Sequence, residues 1–215
     1  MNKVAVMHPK SVADIFEALK SETIKFVHKE IRGTNKEGKS KLIKAIEQKE
    51  VETKSFPNAD VNFLTFDWCS PEMDRNWWWQ MQACPFLGWF SQSYQIFTPE
   101  EQKTLVTYCL GAFKQWLGQE SDGENSPLRW HDHATAFRLT NIVNWLVAIG
   151  SNSELIQEVF NSEPHINFAE VITDHVIWLN EEKNYSKHTN HGFDQALATY
   201  SLGLYVEAGY WEAEI

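Results

Sequence analysis

The stretch TPEEQKTLVTYCLGAFKQWL, residues 98 to 117, indicates the fold class most plainly. Thr98 and Glu101 stand three positions apart, the spacing of a capping box, and Pro99 occupies the first helical position, where a missing N–H costs nothing. The apolar residues that follow recur at intervals of three and four, as on the buried face of an α-helix. We therefore predict a helix from Thr98 to about Leu117.

Similar patterns on both sides of this stretch predict further helices. They cover residues 10–31 with Ser11 as the cap, 39–50, 74–95 with a kink at Pro85, 130–149, 152–161, 167–182 and 190–208. The segment KSFPNADVNF, residues 54–63, is expected to be an extended linker because Pro57 disfavours helix around it.

The predicted fold class is all-α, because no segment shows sustained strand alternation bounded by hairpin signals. Helices joined by short loops are expected to become antiparallel neighbours. Such hairpins can stack as a bundle, a solenoid or a closed ring, and periodicity alone does not separate the three.

Length and composition narrow the class of protein. A chain of 215 residues with 43% apolar content can bury a core of one domain. It has no uninterrupted apolar run of about 18 residues, so we expect no segment to span a bilayer and no membrane partner. The start, MNKVAVMHPK, lacks the apolar region of a secretory signal, so the chain as written is expected to be cytoplasmic, and periplasmic or secreted if its N-terminus is incomplete. Cys69, Cys84 and Cys109 form no metal or disulfide pattern and are expected to be reduced core thiols.

Charge is distributed unevenly along the chain. Residues 1–54 hold 12 Lys and Arg against 8 Asp and Glu, whereas residues 55–215 hold 7 against 21. We therefore predict a basic helical N-terminal segment at 1–54 and a separate acidic domain at 55–215. An acidic body does not bind nucleic acid through its overall field, so an anionic ligand would need a local basic cleft.

Two aromatic and polar motifs are candidates for binding. In DRNWWWQ (74–80), three consecutive Trp point about 100° apart on a helix, so at least one should leave the core face and could stack on sugar rings. Core packing explains the same run equally well. In RWHDHATAFR (129–138), a helix puts the two His of a His-x-His pair on different faces, so we expect no metal site. The plainer interpretation of the second motif is a polar helix N-terminus at the rim of a cleft.

The stretch YSKHTNHGFDQALATYSLGLY, residues 185 to 205, places Asn190 and His191 where a helix begins. Imidazole, with an ordinary pKa near 6.5, is suited to proton transfer near neutrality, and a neighbouring amide can hydrogen-bond a substrate carboxyl group. The alternative is that Asn190 caps the helix and His191 is an ordinary histidine of the surface or core.

Four motifs occur in a fixed order, and together they resemble the α-helical toroid of the heparinase II/III and alginate lyase type of polysaccharide lyases. They are DRNWWWQ (74–80), WHDHATAFRL (130–139), HVIWLN (175–180) and NHGFDQAL (190–197). The likeness covers roughly residues 70 to 210. It implies an incomplete (α/α) toroid of antiparallel helical hairpins over 55–215 with a deep cleft.

The resemblance also implies an activity, namely β-elimination on a uronic-acid-containing polysaccharide or oligosaccharide, with no metal or cofactor. Asn190 would neutralise the uronate carboxylate, and His191 would assist neutralisation or act as the base. The residues implied to line substrate subsites are Trp78, Trp130, His131, His133, Arg138 and His188. The tyrosine that shuttles protons in the family, and its C-terminal β-sandwich, would come from a further domain or a partner.

Two other functions stay open. The chain can be a non-catalytic glycan-binding or polysaccharide-assembly protein that keeps a degenerate lyase cleft. It can also be a helical interaction module whose basic N-terminal helices dock a partner.

Overall fold

A computed structural model describes most of the chain. The described residues are 7–9, 34–53, 56–69, 73–119, 128–150, 154–155, 161–163, 165–205 and 211–213. The predicted helix at 10–31 lies outside this set, and only a few residues of the predicted helix at 152–161 lie inside it.

The described part is mostly helical, as the sequence predicts. In chain order its elements are β1 (Met7–Pro9), α1 (Lys36–Glu47), β2 (Glu50–Thr53), β3 (Phe56–Asp60), α2 (Arg75–Gln82), α3 (Pro85–Ser93), a 3-10 helix (Tyr94–Ile96), α4 (Pro99–Gly118), α5 (Asp132–Gly150), α6 (Phe168–Asn180), a second 3-10 helix (Glu182–Asn184), α7 (Asn190–Tyr205) and β4 (Trp211–Ala213). Within the described residues, none of these helices combines the length and the apolar character needed to cross a bilayer.

The capping box that predicts α4 is confirmed. The Thr98 hydroxyl accepts a hydrogen bond from the N–H of Glu101 at 3.2 Å, and the Glu101 carboxylate accepts one from the N–H of Thr98 at 2.8 Å. The same carboxylate pairs with Lys39 of α1 at 2.7 Å. The cap therefore also ties α1 to the start of α4.

The prediction of an all-α chain is wrong at two short strand pairs. β2 and β3 form an antiparallel hairpin with Val51 opposite Ala59, and β3 lies in the segment 54–63 that was expected to be an extended linker. Pro57 is compatible with this ladder because both strands of a two-stranded sheet are edges, where a missing N–H is tolerated. The expected boundary between residues 54 and 55 lies inside this hairpin. β1 pairs with β4 in the same antiparallel way, with His8 opposite Glu212.

The helix predicted over 74–95 is interrupted before Pro85 and is not merely kinked there. Helix α2 ends at Gln82, Cys84 adopts a left-handed backbone with φ of 51°, and α3 begins at Pro85. Proline is well suited to the first position of a helix, because no hydrogen bond is lost there. Two helices therefore replace the single kinked helix expected over 74–95.

Helix α5 lies at the centre of the core and packs against α2, α3, α6 and α7. Trp77 and Trp78 on α2 are 1% and 2% exposed, so two rings of the tryptophan run belong to the interior. Trp79 is the half-buried member of the run. Cys84 and Cys109 are free, buried thiols, and burial raises the pKa of Cys84 to about 12.

A buried polar network joins α5 to α2 and α6. Arg138 is 0% exposed; its Nε donates to His175 Nε2 at 2.7 Å, and its Nη1 donates to the Gln82 carbonyl at 2.7 Å. His175 Nδ1 in turn donates to the Val171 carbonyl at 2.6 Å. Burial lowers the pKa of Arg138 to about 9. Because this pKa is still above 7, the guanidinium stays charged at neutral pH. Burial, followed by the Arg138 charge, holds the pKa of His175 well below its ordinary value.

This network predicts a pH-dependent stability. His175 stays neutral in the folded chain but binds a proton in the unfolded chain below about pH 6.5, so its contribution is complete above that pH and is lost as the pH falls. The free energy of unfolding should decrease by about 1.4 kcal/mol for each pH unit below about pH 6 on account of this one group. Urea unfolding at pH 7, 6 and 5 measures the slope.

The variant His175→Gln should show a shallower slope by about this amount, because Gln carries no titrating ring. His165→Gln, which removes an exposed histidine, is the matched control for the loss of one histidine. Equal slopes for His175→Gln and the unmodified chain would contradict the buried, neutral state of His175.

Candidate functional site

The N-termini of α2, α5 and α7 lie close together. Helix α2 begins at Arg75, whose Nη2 atom lies 3.3 Å from the Nε2 atom of His131, and His131 is the residue before α5. In the first turns of α5 and α7, His133 Nε2 lies 2.6 Å from Asp194 Oδ2. The residues joined here are called the histidine cluster, defined as His131, Asp132, His133, Ser186, His191 and Asp194.

Asp132 joins the parts of the histidine cluster. Its Oδ2 accepts hydrogen bonds from the Ser186 hydroxyl and from His191 Nδ1, the latter at 2.9 Å. Its Oδ1 accepts from the backbone N–H of His133 at 2.7 Å. Burial acts to raise the pKa of Asp132, but the hydrogen bonds from Ser186, His191 and His133 outweigh it, so the pKa lies below its ordinary value. The carboxylate is therefore ionised at neutral pH and is held by three separate donors.

His191 is the accessible imidazole of the cluster, with 35% of its side chain exposed. Because the Asp132 carboxylate can only accept, the hydrogen bond requires the proton on Nδ1 of His191. In the neutral ring Nε2 then carries the free lone pair. A carboxylate that fixes the tautomer and orientation of an imidazole in this way prepares it to act as a general base.

A second imidazole is paired with its own carboxylate beside the first. The ring of His133 stacks on the ring of His191 with centroids 4.0 Å apart and planes inclined by 20°. Its Nε2 is held by Asp194, and Trp79 lies beside the ring, with ring centroids 4.9 Å apart. Two adjacent imidazole and carboxylate pairs thus share one surface.

His131 differs from the other two histidines because a cation faces it. Arg75 donates to Nε2, so the ring proton lies on Nδ1, which is 3.0 Å from Asp132 Oδ1 in an electrostatic contact without hydrogen-bond geometry. Burial lowers the pKa of His131, and the charge of Arg75 adds to this, while Asp132 opposes it. His131 is therefore a neutral ring near pH 7.

The hydrogen bonds at the start of α7 show which residue caps this helix. Thr189 is the capping residue, because its hydroxyl accepts from the N–H of Gly192 at 3.1 Å, and the interpretation of Asn190 as the cap is wrong. Asn190 is the first helical residue and its side chain is exposed. His191 follows directly, so the amide and the imidazole stand at neighbouring positions on the surface.

Gly192 has a specific packing role in this turn. A Cβ at position 192 would lie 2.4 Å from the Ser186 carbonyl oxygen, closer than any side-chain carbon is found. The absence of a side chain lets the 185–189 turn lie against α7, which brings the Ser186 hydroxyl to Asp132.

The structure brings together some of the residues that sequence reasoning singled out. Asn190, His191, His131 and His133 lie at or beside the cluster, whereas His188 lies in the preceding turn, exposed, with a left-handed φ of 62°. Trp130 is 36% exposed and lines a separate cavity of about 430 Å³ with His175 and Arg129. The expectation that Arg138 lines a subsite does not fit its position, because its guanidinium is wholly buried in the network that joins α5 to α2 and α6.

Sequence reasoning missed Ser186 and Asp194 of the cluster and Arg75 beside it. These residues come from different segments, and no local pattern links them to the His-x-His motif. Asp132 was noted only as a favourable first-turn acid. Its position between two histidines was the one signal in the sequence that could have pointed to its bridging role.

A scan against protein-family models and searches of curated proteins and solved structures each return no match for this chain. In the described ranges, no group of three or more His, Cys, Asp or Glu residues has an arrangement that could hold a metal ion.

The packing of Gly192 yields a prediction. Gly192→Ala should lower the free energy of unfolding by about 1–3 kcal/mol, because the new methyl group must push the Ser186 backbone away. The same displacement should weaken the hydrogen bond from Ser186 to Asp132. Chemical denaturation measures the first effect.

Gly118→Ala is the matched control, since a Cβ at the last position of α4 meets nothing within 4 Å. It should leave stability unchanged or raise it by up to about 1 kcal/mol. A Gly192→Ala variant as stable as Gly118→Ala would show that the 185–189 turn does not press on α7 as described.

Proposed function

We propose that this chain is a polysaccharide lyase module that cleaves a uronic-acid-containing glycan by β-elimination at the histidine cluster. The observation that carries the proposal is the half-exposed His191, fixed by the Asp132 carboxylate and preceded in the chain by the exposed Asn190. The sequence motifs that resemble the heparinase II/III and alginate lyase type of enzymes contain these residues. The finer architecture of that family, an incomplete (α/α) toroid, belongs to the same proposal.

The electrostatics of the site suit an anionic sugar. The first turns of α2, α5 and α7 meet at the cluster, and helix N-termini carry partial positive charge and unpaired N–H groups that favour anions. Arg75 adds an exposed guanidinium beside His131. A uronate carboxylate can therefore be bound locally although residues 55–215 are acidic as a whole.

The proposed reaction uses the two imidazoles for proton transfer. Asn190 hydrogen-bonds the uronate carboxylate, which makes the C5 proton more acidic, and His191 Nε2 removes that proton. The electron pair forms a C4–C5 double bond as the C4–O4 bond breaks, and the departing O4 takes up a proton. In the proposal His133 acts in its imidazolium form: its Nε2–H stays bonded to Asp194 and its Nδ1–H gives this proton to O4. Residues from a further domain or partner complete the site.

Subsites beside the cluster are part of the proposal. His131 belongs to the cluster and His188 lies exposed in the turn before α7, whereas Trp78 is 2% exposed, so its ring belongs to the core and does not fit the expected subsite role. Trp130 is 36% exposed and lines the cavity of about 430 Å³. Aromatic faces of this kind bind sugar rings by stacking.

Binding without turnover is the second candidate function, favoured by exposed rings next to the cluster. Phe193, in the first turn of α7, is 68% exposed, and Phe137 is exposed beside His133, with ring centroids 5.3 Å apart. Exposed apolar rings of this size often mark contact surfaces. In this alternative the cluster recognises a glycan and performs no elimination.

The lyase proposal is tested by incubating the chain with alginate, heparan sulfate and glucuronan and following the ultraviolet absorbance of the unsaturated product. His191→Ala should lower kcat by about 10²-fold or more, because the general base is lost. Asp132→Asn should act in the same direction, since the amide no longer fixes the ring tautomer.

The matched control is Glu100→Gln, which removes a first-turn carboxylate from α4, away from the cluster, and should keep full activity. Glycan binding that is lost in His191→Ala, without product from any of the three polymers, would favour the second candidate. Turnover that is unchanged in both cluster variants would rule out the proposed chemistry.

A further inference from the structure

Two aromatic side chains lie beside the second imidazole of the histidine cluster. Phe137, on α5 one turn after His133, is 39% exposed, and Trp79 on α2 is half-buried, so a ligand can reach both from the solvent. Their ring centroids are 5.8 Å apart, with planes inclined by 40°. The His133 ring contacts both, with centroid distances of 5.3 Å to Phe137 and 4.9 Å to Trp79. We call Trp79 and Phe137 the aromatic platform.

The aromatic platform adjoins the proposed proton donor. Within the described residues, the ring contacts of Trp79 and Phe137 are with His133 and with each other. The ring contacts of His191, the proposed base, are with His133 and His131. A sugar that lies on the platform is therefore placed next to the proton donor.

The charges near the platform differ from those at the His131 end of the cluster. Arg75 stands four positions before Trp79 on α2, one helical turn away, and its guanidinium is bonded to His131. At the platform, the contacting ring of His133 is held by the Asp194 carboxylate. A sugar carboxylate is therefore favoured beside Arg75, whereas an uncharged sugar ring is favoured on the platform.

The proposed elimination determines which sugar lies next to His133. In that reaction His133 protonates O4, the oxygen that joins the reacting uronate to the sugar on its non-reducing side. When the C4–O4 bond breaks, O4 leaves with that sugar and becomes the hydroxyl group on its C1. The departing sugar therefore lies beside His133, and the uronate lies beside His191.

We infer that the aromatic platform binds the departing sugar by stacking and selects an uncharged sugar at that position. Aromatic rings with exposed surface suit the apolar face of a pyranose. The inference rests on the proposed lyase function and extends it, because it assigns Trp79 and Phe137 to one side of the bond that is cleaved.

Hyaluronan and glucuronan test the selection, because both carry a sugar β-linked to O4 of glucuronate. The departing sugar is uncharged N-acetylglucosamine in hyaluronan and glucuronate in glucuronan. Assays in about 0.5 M sodium chloride screen the general repulsion between an acidic protein and a polyanion. The kcat/KM for hyaluronan should be higher by about threefold or more, because a carboxylate on the platform would lose water without meeting a cation.

Variants of Phe137 test the platform itself. Phe137→Ala should raise the KM for hyaluronan about three- to tenfold and change kcat less than about twofold, because stacking is equal in the ground state and the transition state. Phe137→Tyr keeps the ring and should keep the KM within about twofold. Ile177→Ala removes a side chain that is 53% exposed on α6, outside the cluster, and is the matched control with unchanged kinetics.

Three results would overturn the inference while product still forms. They are a kcat/KM for glucuronan that equals or exceeds that for hyaluronan, a Phe137→Ala variant with the KM of Ile177→Ala, and a Phe137→Tyr variant as impaired as Phe137→Ala. No product from any uronate polymer would instead contradict the proposed function. Isothermal titration calorimetry with hexasaccharides of both polymers then decides the selection, and a hyaluronan hexasaccharide that binds no more tightly than the glucuronan one would overturn it.

Discussion

The hydrogen bonds to the Asp132 carboxylate hold the candidate site together. A carboxylate that is mostly removed from water must be compensated by donors, and here the donors come from α5 itself, from the turn before α7 and from α7. Removing one of these donors would leave the others around an incompletely solvated charge. The relative position of α5 and α7 is therefore coupled to the ionisation of one side chain.

The interior explains why α5 can carry this arrangement. Its far side is packed in the core, and the buried guanidinium of Arg138 fastens it to the end of α2 and to His175 on α6. A site built on helices whose opposite faces are immobile keeps its geometry better than one built on loops. Asp132, which orients the proposed base His191, thus stands on a helix packed in the core, while His191, Asn190 and Phe193 lie in the first turn of α7.

Sequence reasoning predicted the elements better than their contacts. The capping box at Thr98 and the 3.6-residue periodicity of α4, α5 and α6 are local signals, and these helices lie within two residues of their expected ends. The β2–β3 hairpin was missed because a bulged ladder containing Pro57 shows no clean alternation. At Pro85 the local signal was read correctly as a disruption, but the left-handed Cys84 turned a kink into a break.

The candidate site was predictable only in part, for a physical reason. His131, His133, Asn190 and His191 could be chosen from residue type alone, but the bonds that organise them join positions 54, 59 and 61 residues apart. Periodicity reports which face of a helix is buried, and carries no information about which helix lies opposite. The bridging role of Asp132 and the engagement of Asp194 and Ser186 follow only from the tertiary packing.

The most direct test of this account is the tautomer of His191, read from the ¹⁵N chemical shifts of its two ring nitrogens at a pH where the ring is neutral. The structure predicts the proton on Nδ1, donated to Asp132, and a shift of the population toward the Nε2–H form in Asp132→Asn. A neutral ring that carries its proton on Nε2 in the unmodified chain would contradict the hydrogen bond on which the candidate site is built.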